Sequence, residues 1–267
     1  MARLNAIISN QINGESGAPL VFFHGFLGSS ADWSAELDWI TSNLRRSAIA
    51  IDLPGHGGSL LDDPSEYDWD RMVDSIWETI DADHRFAGKK VVMFGYSMGG
   101  RCALGAAFRR PERINRVVLI SSAPGIDSSN ERSLRAKWDL AQANLLRSLP
   151  LPNYIDQWYS QSLFNSLNDH PELKKKIMDV RSNNSPNHLA MSLVGMGRGR
   201  QPSYWPDVVS APFPIHLLLG DDDAGYKATG YEMERLGCFV HRINNAGHYV
   251  HREKEFEFKQ WLYEVIK

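Results

Sequence analysis

Cysteine is scarce: the 267 residues hold two, Cys102 and Cys238. Two thiols, one in a helix pattern and one in a strand pattern, make neither a disulfide framework nor a metal site, so buried free thiols are expected. A long apolar run is also missing. No window approaches the roughly 18 apolar residues of a membrane span, and no charged segment followed by an apolar stretch opens the chain. No membrane insertion and a cytoplasmic, reducing setting are therefore expected. Nor is there an excess of one charge. The 29 Lys and Arg against 32 Asp and Glu leave a formal charge of -3, which gives no global attraction for nucleic acid. Any recognition of anions must come from local arginines, and nothing in the sequence sets an oligomeric state.

What is present is a hydrophobic content of 43%, enough for a sizeable core in one large domain. Short β-rich runs at Leu20–Phe23, Ala48–Asp52, Val91–Phe94 and Val117–Ser121 alternate with helical patterns. That alternation predicts right-handed crossovers building a mostly parallel sheet. After Pro124 the strands stop. Helical periodicity follows at Glu131–Ser148, Tyr154–Leu167 and Pro171–Val180, before strands resume at Ile215–Leu219 and Phe239–Ile243 and a last helix carries Phe256 to Val265. The expected organisation is a core of residues 1–124 and 211–267 interrupted by a helical cap insertion, 125–210. The spacing of Gly195, Gly197 and Gly199 follows a helix pattern instead of a strand, so it reads as a flexible turn and not as a dinucleotide fingerprint.

The chemistry concentrates at strand ends. Gly95-Tyr96-Ser97-Met98-Gly99 follows an apolar strand and precedes the helix-compatible run Gly100–Phe108, the context in which a G-x-S-x-G turn pushes its serine out over a sheet. Ser97 needs an imidazole to take its proton and a carboxylate to hold that imidazole in one tautomer. Asp221, Asp222 and Asp223 follow the strand Ile215–Leu219, and His248 follows the last strand, so acid and base come after the serine in order. Spacing alone leaves Asp221, Asp222 and Asp223 as competitors for the acid; the resemblance of this turn to the glycine, two residues and aspartate of α/β hydrolases implies Asp223. His24 and His56 sit in glycine turns and are expected to stabilise them. The amides of Phe26 and Met98 are the candidate oxyanion donors. Arg101, one helical turn after Ser97, leans back toward the helix N-terminus and suits an anionic substrate.

Together these blocks place the chain among the α/β hydrolases, a mostly parallel central sheet flanked by helices with a helical cap. More specific text comes from Gly99-Gly100-Arg101, Trp158-Tyr159-Ser160-Gln161, Leu163-Phe164-Asn165-Ser166-Leu167-Asn168, Arg181-Ser182-Asn183-Asn184 and Gly247-His248 with His251-Arg252-Glu253. Across most of its length the chain resembles the 2-succinyl-6-hydroxy-2,4-cyclohexadiene-1-carboxylate synthases of menaquinone biosynthesis. That resemblance implies a lyase without a cofactor, acting on a small molecule with several carboxylates. It implies Ser97 as general base, activated by His248 and Asp223, with pyruvate as the leaving group. It further implies that Arg101, Arg135 and Arg181 bind the carboxylates and that Trp158, Tyr159 and Tyr96 line the pocket. Arg181, at the end of the Pro171–Val180 helix pattern, is expected to project across the pocket mouth. Arg135 is four residues before Asp139, so an i,i+4 ion pair competes with its binding role. A hydrolase of C–C bonds or esters acting on an anionic aromatic acid with the same triad is the alternative. A non-catalytic binding module is disfavoured, because all three triad positions are filled in order.

Overall fold

In the computed structural model, described for residues 2–9 and 17–267, seven strands form one sheet. They are β1 (Ala6–Ile8), β2 (Leu20–Phe23), β3 (Ala48–Ile51), β4 (Val91–Tyr96), β5 (Ile114–Ile120), β6 (Ile215–Gly220) and β7 (Phe239–Ile243). Their order is β1-β3-β2-β4-β5-β6-β7, with only β1 antiparallel to its neighbour. β2, β3 and β4 are buried along their whole length. Both sheet faces are covered by helices, which is why these strands read as unbroken apolar runs instead of alternating ones.

Side chains alternate across the sheet. Leu20, Phe22 and Phe94 join one core with residues of α1 (Ser34–Leu44) and of the C-terminal helix Glu255–Ile266. Val21, Phe23 and Met93 join the other with α2 (Trp69–Asp81) and α3 (Met98–Arg109). Between β5 and β6 the chain leaves the sheet for α4 (Ser129–Ser148), α5 (Leu151–Tyr159), α6 (Pro171–Arg181) and α7 (Pro186–Met196). This is the expected helical insertion. Prolines open α5, α6 and α7 at the first or second helical position, where a missing amide hydrogen costs nothing. Ala143, Leu146, Tyr154, Leu167 and Leu189 tie the insertion into the first of the two cores.

Three details differ from the sequence reading. Tyr154–Leu167 is two elements, because Gln161 turns extended (φ -63°, ψ 146°) and separates α5 from a 3-10 segment at Ser162–Asp169. Cys238 lies in the turn before β7, not in the strand; both cysteines are free. The three glycines are contact points, since a Cβ on Gly195 would meet Tyr67, one on Gly197 Asp139, and one on Gly199 the Ala136 backbone. No described helix is long and apolar enough to cross a membrane.

The strand order fixes where a ligand can sit. From β2 the chain moves outward to β3, then jumps back across β2 to β4, so the segments leaving β2 and β4 diverge. A crevice opens between them at the strand C-terminal ends, the place where open α/β sheets bind ligands.

Candidate active site

Ser97 stands at the tip of the turn between β4 and α3 with φ 51° and ψ -108°, outside the regions a serine prefers, a conformation that costs about 1–3 kcal/mol. Its surroundings enforce it. A Cβ on Gly95 would strike the Gly99 carbonyl, and one on Gly99 the Phe23 carbonyl, so only glycine lets α3 start this close to β4 and β2. The Ser97 amide donates to the Ile120 carbonyl at 2.8 Å and pins the turn to β5. Within Gly95–Gly100 every residue is buried except Ser97, which is half-exposed to the crevice.

His248 Nε2 lies 3.1 Å from Ser97 Oγ, and Nδ1 lies 2.8 Å from Asp223 Oδ2. A carboxylate can only accept here, so Nδ1 carries the proton and Nε2 is left to accept from the serine. Both His248 and Asp223 are buried, whereas Asp222 is exposed and Asp221 half-buried on another surface with Lys227 and Arg242. The histidine's loop is held from behind. Glu253 accepts from the Gly247 amide at 2.7 Å, from the Tyr249 amide at 3.1 Å and from the Ser166 hydroxyl of the insertion at 3.0 Å.

The Phe26 and Met98 amides border the same crevice, and neither has an acceptor among the described residues. The Met98 amide opens α3, where the helix dipole favours negative charge. His24 and His56 serve the turns, as expected. His24 Nδ1 donates to the Gly25 carbonyl at 2.7 Å and its Nε2 accepts from the Leu53 amide at 3.0 Å. Burial pushes His24 below the usual imidazole range and His56 well below it.

Ser97 opens onto a cavity of about 420 Å³, within the usual span of small-molecule sites. Phe26, Tyr96, Met98, Arg101, Arg135, Trp158, Tyr159 and Arg181 all line it, whereas His248 and Asp223 stand behind the serine. Aromatic rings pack along the cavity in two groups: Trp158 on Phe26 at 4.8 Å, and Tyr159 on Phe164 at 4.9 Å with Tyr96 on His248 at 5.4 Å.

The three arginines differ in what they touch. Arg101 is buried and donates to the Met196 carbonyl at 3.1 Å and to Gln201 Oε1 at 3.5 Å, with no carboxylate partner among the described residues. Burial pulls its guanidinium down to about 10, still charged at neutral pH. Arg135 is bound to Asp139 Oδ1 at 2.8 Å, the i,i+4 pair that its spacing offered, and lies over the Trp138 ring at 4.3 Å. Arg181 does not stand at the pocket mouth. It is 3% exposed, forked onto both Asp32 oxygens at 2.7 Å and onto the Tyr249 hydroxyl at 3.0 Å. Burial opposes its charge, but Tyr249, Asp32 and Tyr159 outweigh burial and hold it ionised.

Sequence reasoning passed over Trp138, Gln161, Arg198, Tyr226 and Tyr249, which also line the cavity. Tyr226 packs 5.0 Å from the His248 ring, and its proximity to the triad acid was the available signal. Among the described residues no group of three His, Cys, Asp or Glu is placed to hold a metal ion.

Known proteins resemble the chain in sequence and fold. Residues 20–259 fit the α/β hydrolase family. The chain is 32% identical over 242 residues to 2-succinyl-6-hydroxy-2,4-cyclohexadiene-1-carboxylate synthase of Escherichia coli, covering 90% of this chain and 91% of that one. It is 29% identical to the chloroplastic protein PHYLLO of Arabidopsis thaliana over 89% of its own length, but spans only 14% of that protein. The structure of MenH from S. aureus superposes with a TM-score of 0.89 at 29% identity, over 97% of this chain and 96% of that one.

Proposed function

The chain is an enzyme that belongs to the α/β-hydrolase family and is a homologue of the 2-succinyl-6-hydroxy-2,4-cyclohexadiene-1-carboxylate synthases, and on that premise we propose that it eliminates pyruvate from 2-succinyl-5-enolpyruvyl-6-hydroxy-3-cyclohexene-1-carboxylate, in the cytoplasm and for menaquinone synthesis. The observation that carries the reading is that Ser97 opens onto a cavity lined by arginines, in which buried Arg101 has no carboxylate of its own. A guanidinium fork suits carboxylates, of which this substrate has several.

In the proposed reaction the Ser97 hydroxyl gives its proton to His248 Nε2 while Asp223 keeps Nδ1 protonated. The serine oxygen then takes the proton from the ring carbon that bears the succinyl carbonyl. Electrons move through the ring double bond, the ring carbon–oxygen bond to the enolpyruvyl group breaks, and the departing enolpyruvate takes up one proton on its methylene carbon to give pyruvate, balanced by the one proton that His248 releases to regenerate the neutral imidazole. Two ring double bonds remain, water is not consumed, and no cofactor is needed. Negative charge gathers on the succinyl carbonyl oxygen as the proton leaves, and the Phe26 and Met98 amides are free to receive it. Burial of His248 and Asp223 behind the serine suits a base that works on carbon away from bulk water.

A hydrolase of esters or C–C bonds would use the same serine, histidine and amides, but would bond Ser97 to the carbonyl carbon and add water. The two separate cleanly in a turnover assay with the enolpyruvyl substrate in ¹⁸O-labelled water. Pyruvate and diene absorbance rising together, with no label in the diene product, is expected. Label in the product or absence of pyruvate would overturn the lyase reading.

A further inference from the structure

Arg198 lies in the turn after α7, and the chain around it is unusually constrained. Gly197 is pressed against Asp139 and the Leu193 carbonyl, and Gly199 against the backbone of Ala136 on α4. The Gly199 amide donates to Asp139 Oδ2 at 2.9 Å, while Gln201 and Arg200 close the turn onto the Gly197 carbonyl. The backbone that carries Arg198 is therefore fixed before any ligand arrives. Asp139 thereby organises two cavity arginines, Arg135 through one oxygen and the Arg198 turn through the other.

The Arg198 guanidinium is half-buried on the cavity wall and has no carboxylate partner among the described residues. It lies over the Tyr226 ring at 5.9 Å, and that ring in turn packs 5.0 Å from His248. Arg101 reaches the same turn, bound to the Met196 carbonyl and Gln201 Oε1, which bracket Arg198 in the chain. Two guanidinium groups on one wall repel each other, and the Arg198 charge adds to burial in lowering Arg101. Neither guanidinium has a carboxylate hydrogen-bonded to it, since Asp139 is committed to Arg135 and the Gly199 amide, so a ligand that brings an anion stabilises the pair.

We propose that Arg198 and Arg101 form a single cradle for one carboxylate of the substrate, with Arg198 restricting the enzyme to substrates that carry an anion at that position. The proposal rests on the polycarboxylate reading of the substrate given above. It adds a fourth cation to Arg101, Arg135 and Arg181, one held by the insertion's own turn and not by an ion pair.

The test compares wild type, Arg198→Ala and Arg198→Lys in two readouts. The first is steady-state elimination of the enolpyruvyl substrate. The second is calorimetric titration with sodium succinate, a simple dicarboxylate, which does not depend on turnover. In Arg198→Ala, KM and the succinate Kd should each rise roughly tenfold to a hundredfold, the worth of a charge-assisted hydrogen bond, while kcat changes little. Arg198→Lys should recover part of both, since an ammonium lacks the planar fork. Melting temperatures should stay at the wild-type value. KM and succinate Kd both unchanged in Arg198→Ala would overturn the cradle even with pyruvate release intact. Loss of succinate binding in the variant, with no pyruvate released by wild type, would keep the cradle and reject the substrate reading.

Discussion

The two walls of the cavity are built differently. On the core wall, Ser97, the Phe26 and Met98 amides and Asp223 are delivered by strand ends, and their positions follow from backbone pinned by the Gly95 and Gly99 contacts and by ladder hydrogen bonds. On the wall formed by the insertion, Arg135 and Arg181 are arranged by ion pairs and Arg198 by the turn that carries it. Arg181 reaches Asp32, 149 residues away, whereas Arg135 meets Asp139 within its own helix. A strand end presents one residue in one direction. An arginine can serve a substrate or a neighbouring carboxylate, and only its partners decide which.

If the core wall carries the chemistry, its variants should damage turnover without damaging the fold. Ser97→Ala is expected to lower kcat by about 10³-fold or more at an unchanged melting temperature, because neither His248 nor water can take the serine's place above the ring. A loss under about tenfold, in the range below general-base contributions, would remove Ser97 from that role. Asp223→Asn should follow with about 10²-fold or more, since the histidine loses the partner that fixes its tautomer. Asp222→Asn, at an exposed position, should be near wild type. An Asp222 variant more damaged than the Asp223 variant would mean that the acid has been misassigned.

The insertion wall should respond in stability. Arg181→Ala leaves the half-buried Asp32 without its cation, and breaking a pair whose arginine is buried in this way should cost about 3 kcal/mol, the lower end of the range for buried pairs. Arg135→Ala removes a half-exposed partner from Asp139, which is buried but keeps the Gly199 amide, and should cost less, about 1 kcal/mol. Denaturant melts of both variants, read beside kcat/KM, sharpen the contrast. An Arg181 variant with wild-type stability but impaired kcat/KM would show that Asp32 does not hold Arg181 for the fold.

The response to acid sums over several buried histidines. Burial holds His24, His56 and His251 below their ordinary value of 6.5, so in the folded chain they remain neutral where the unfolded chain takes up protons. Stability is therefore fully present above about pH 6.5 and falls as pH drops from there toward the folded values, by up to about 1.4 kcal/mol per pH unit for each histidine. Melting temperatures from pH 8 to pH 5 should decline most steeply below pH 6.5; a flat profile would contradict the neutral, buried assignment.

The same contrast explains what could be read from the sequence. β2 and β7 have the expected limits, and the other core strands differ by a few residues at their ends, because an apolar run closed by glycine or proline is local information. β1 escaped notice: three residues on an antiparallel edge, half-exposed or exposed, carry no such run. The break at Gln161 was invisible because apolar periodicity continues across it into Phe164 and Leu167. In the site, serine, acid and histidine were legible as ends of strands. Arg198 was not, since glycines taken for flexibility are close contacts that stiffen its turn. The pairing of Arg181 with Asp32 depends on how the insertion folds back over α1, and no spacing rule encodes that.

In the proposed reaction Ser97 takes a proton and never bonds to carbon. This is tested most directly by mixing enzyme with the enolpyruvyl substrate, quenching in milliseconds, and measuring pyruvate, diene and intact protein mass on the same samples. Pyruvate and diene in equal amounts with unmodified protein at every time point are the predicted result; a substrate-derived mass on Ser97 that forms and decays at the rate of turnover would contradict it.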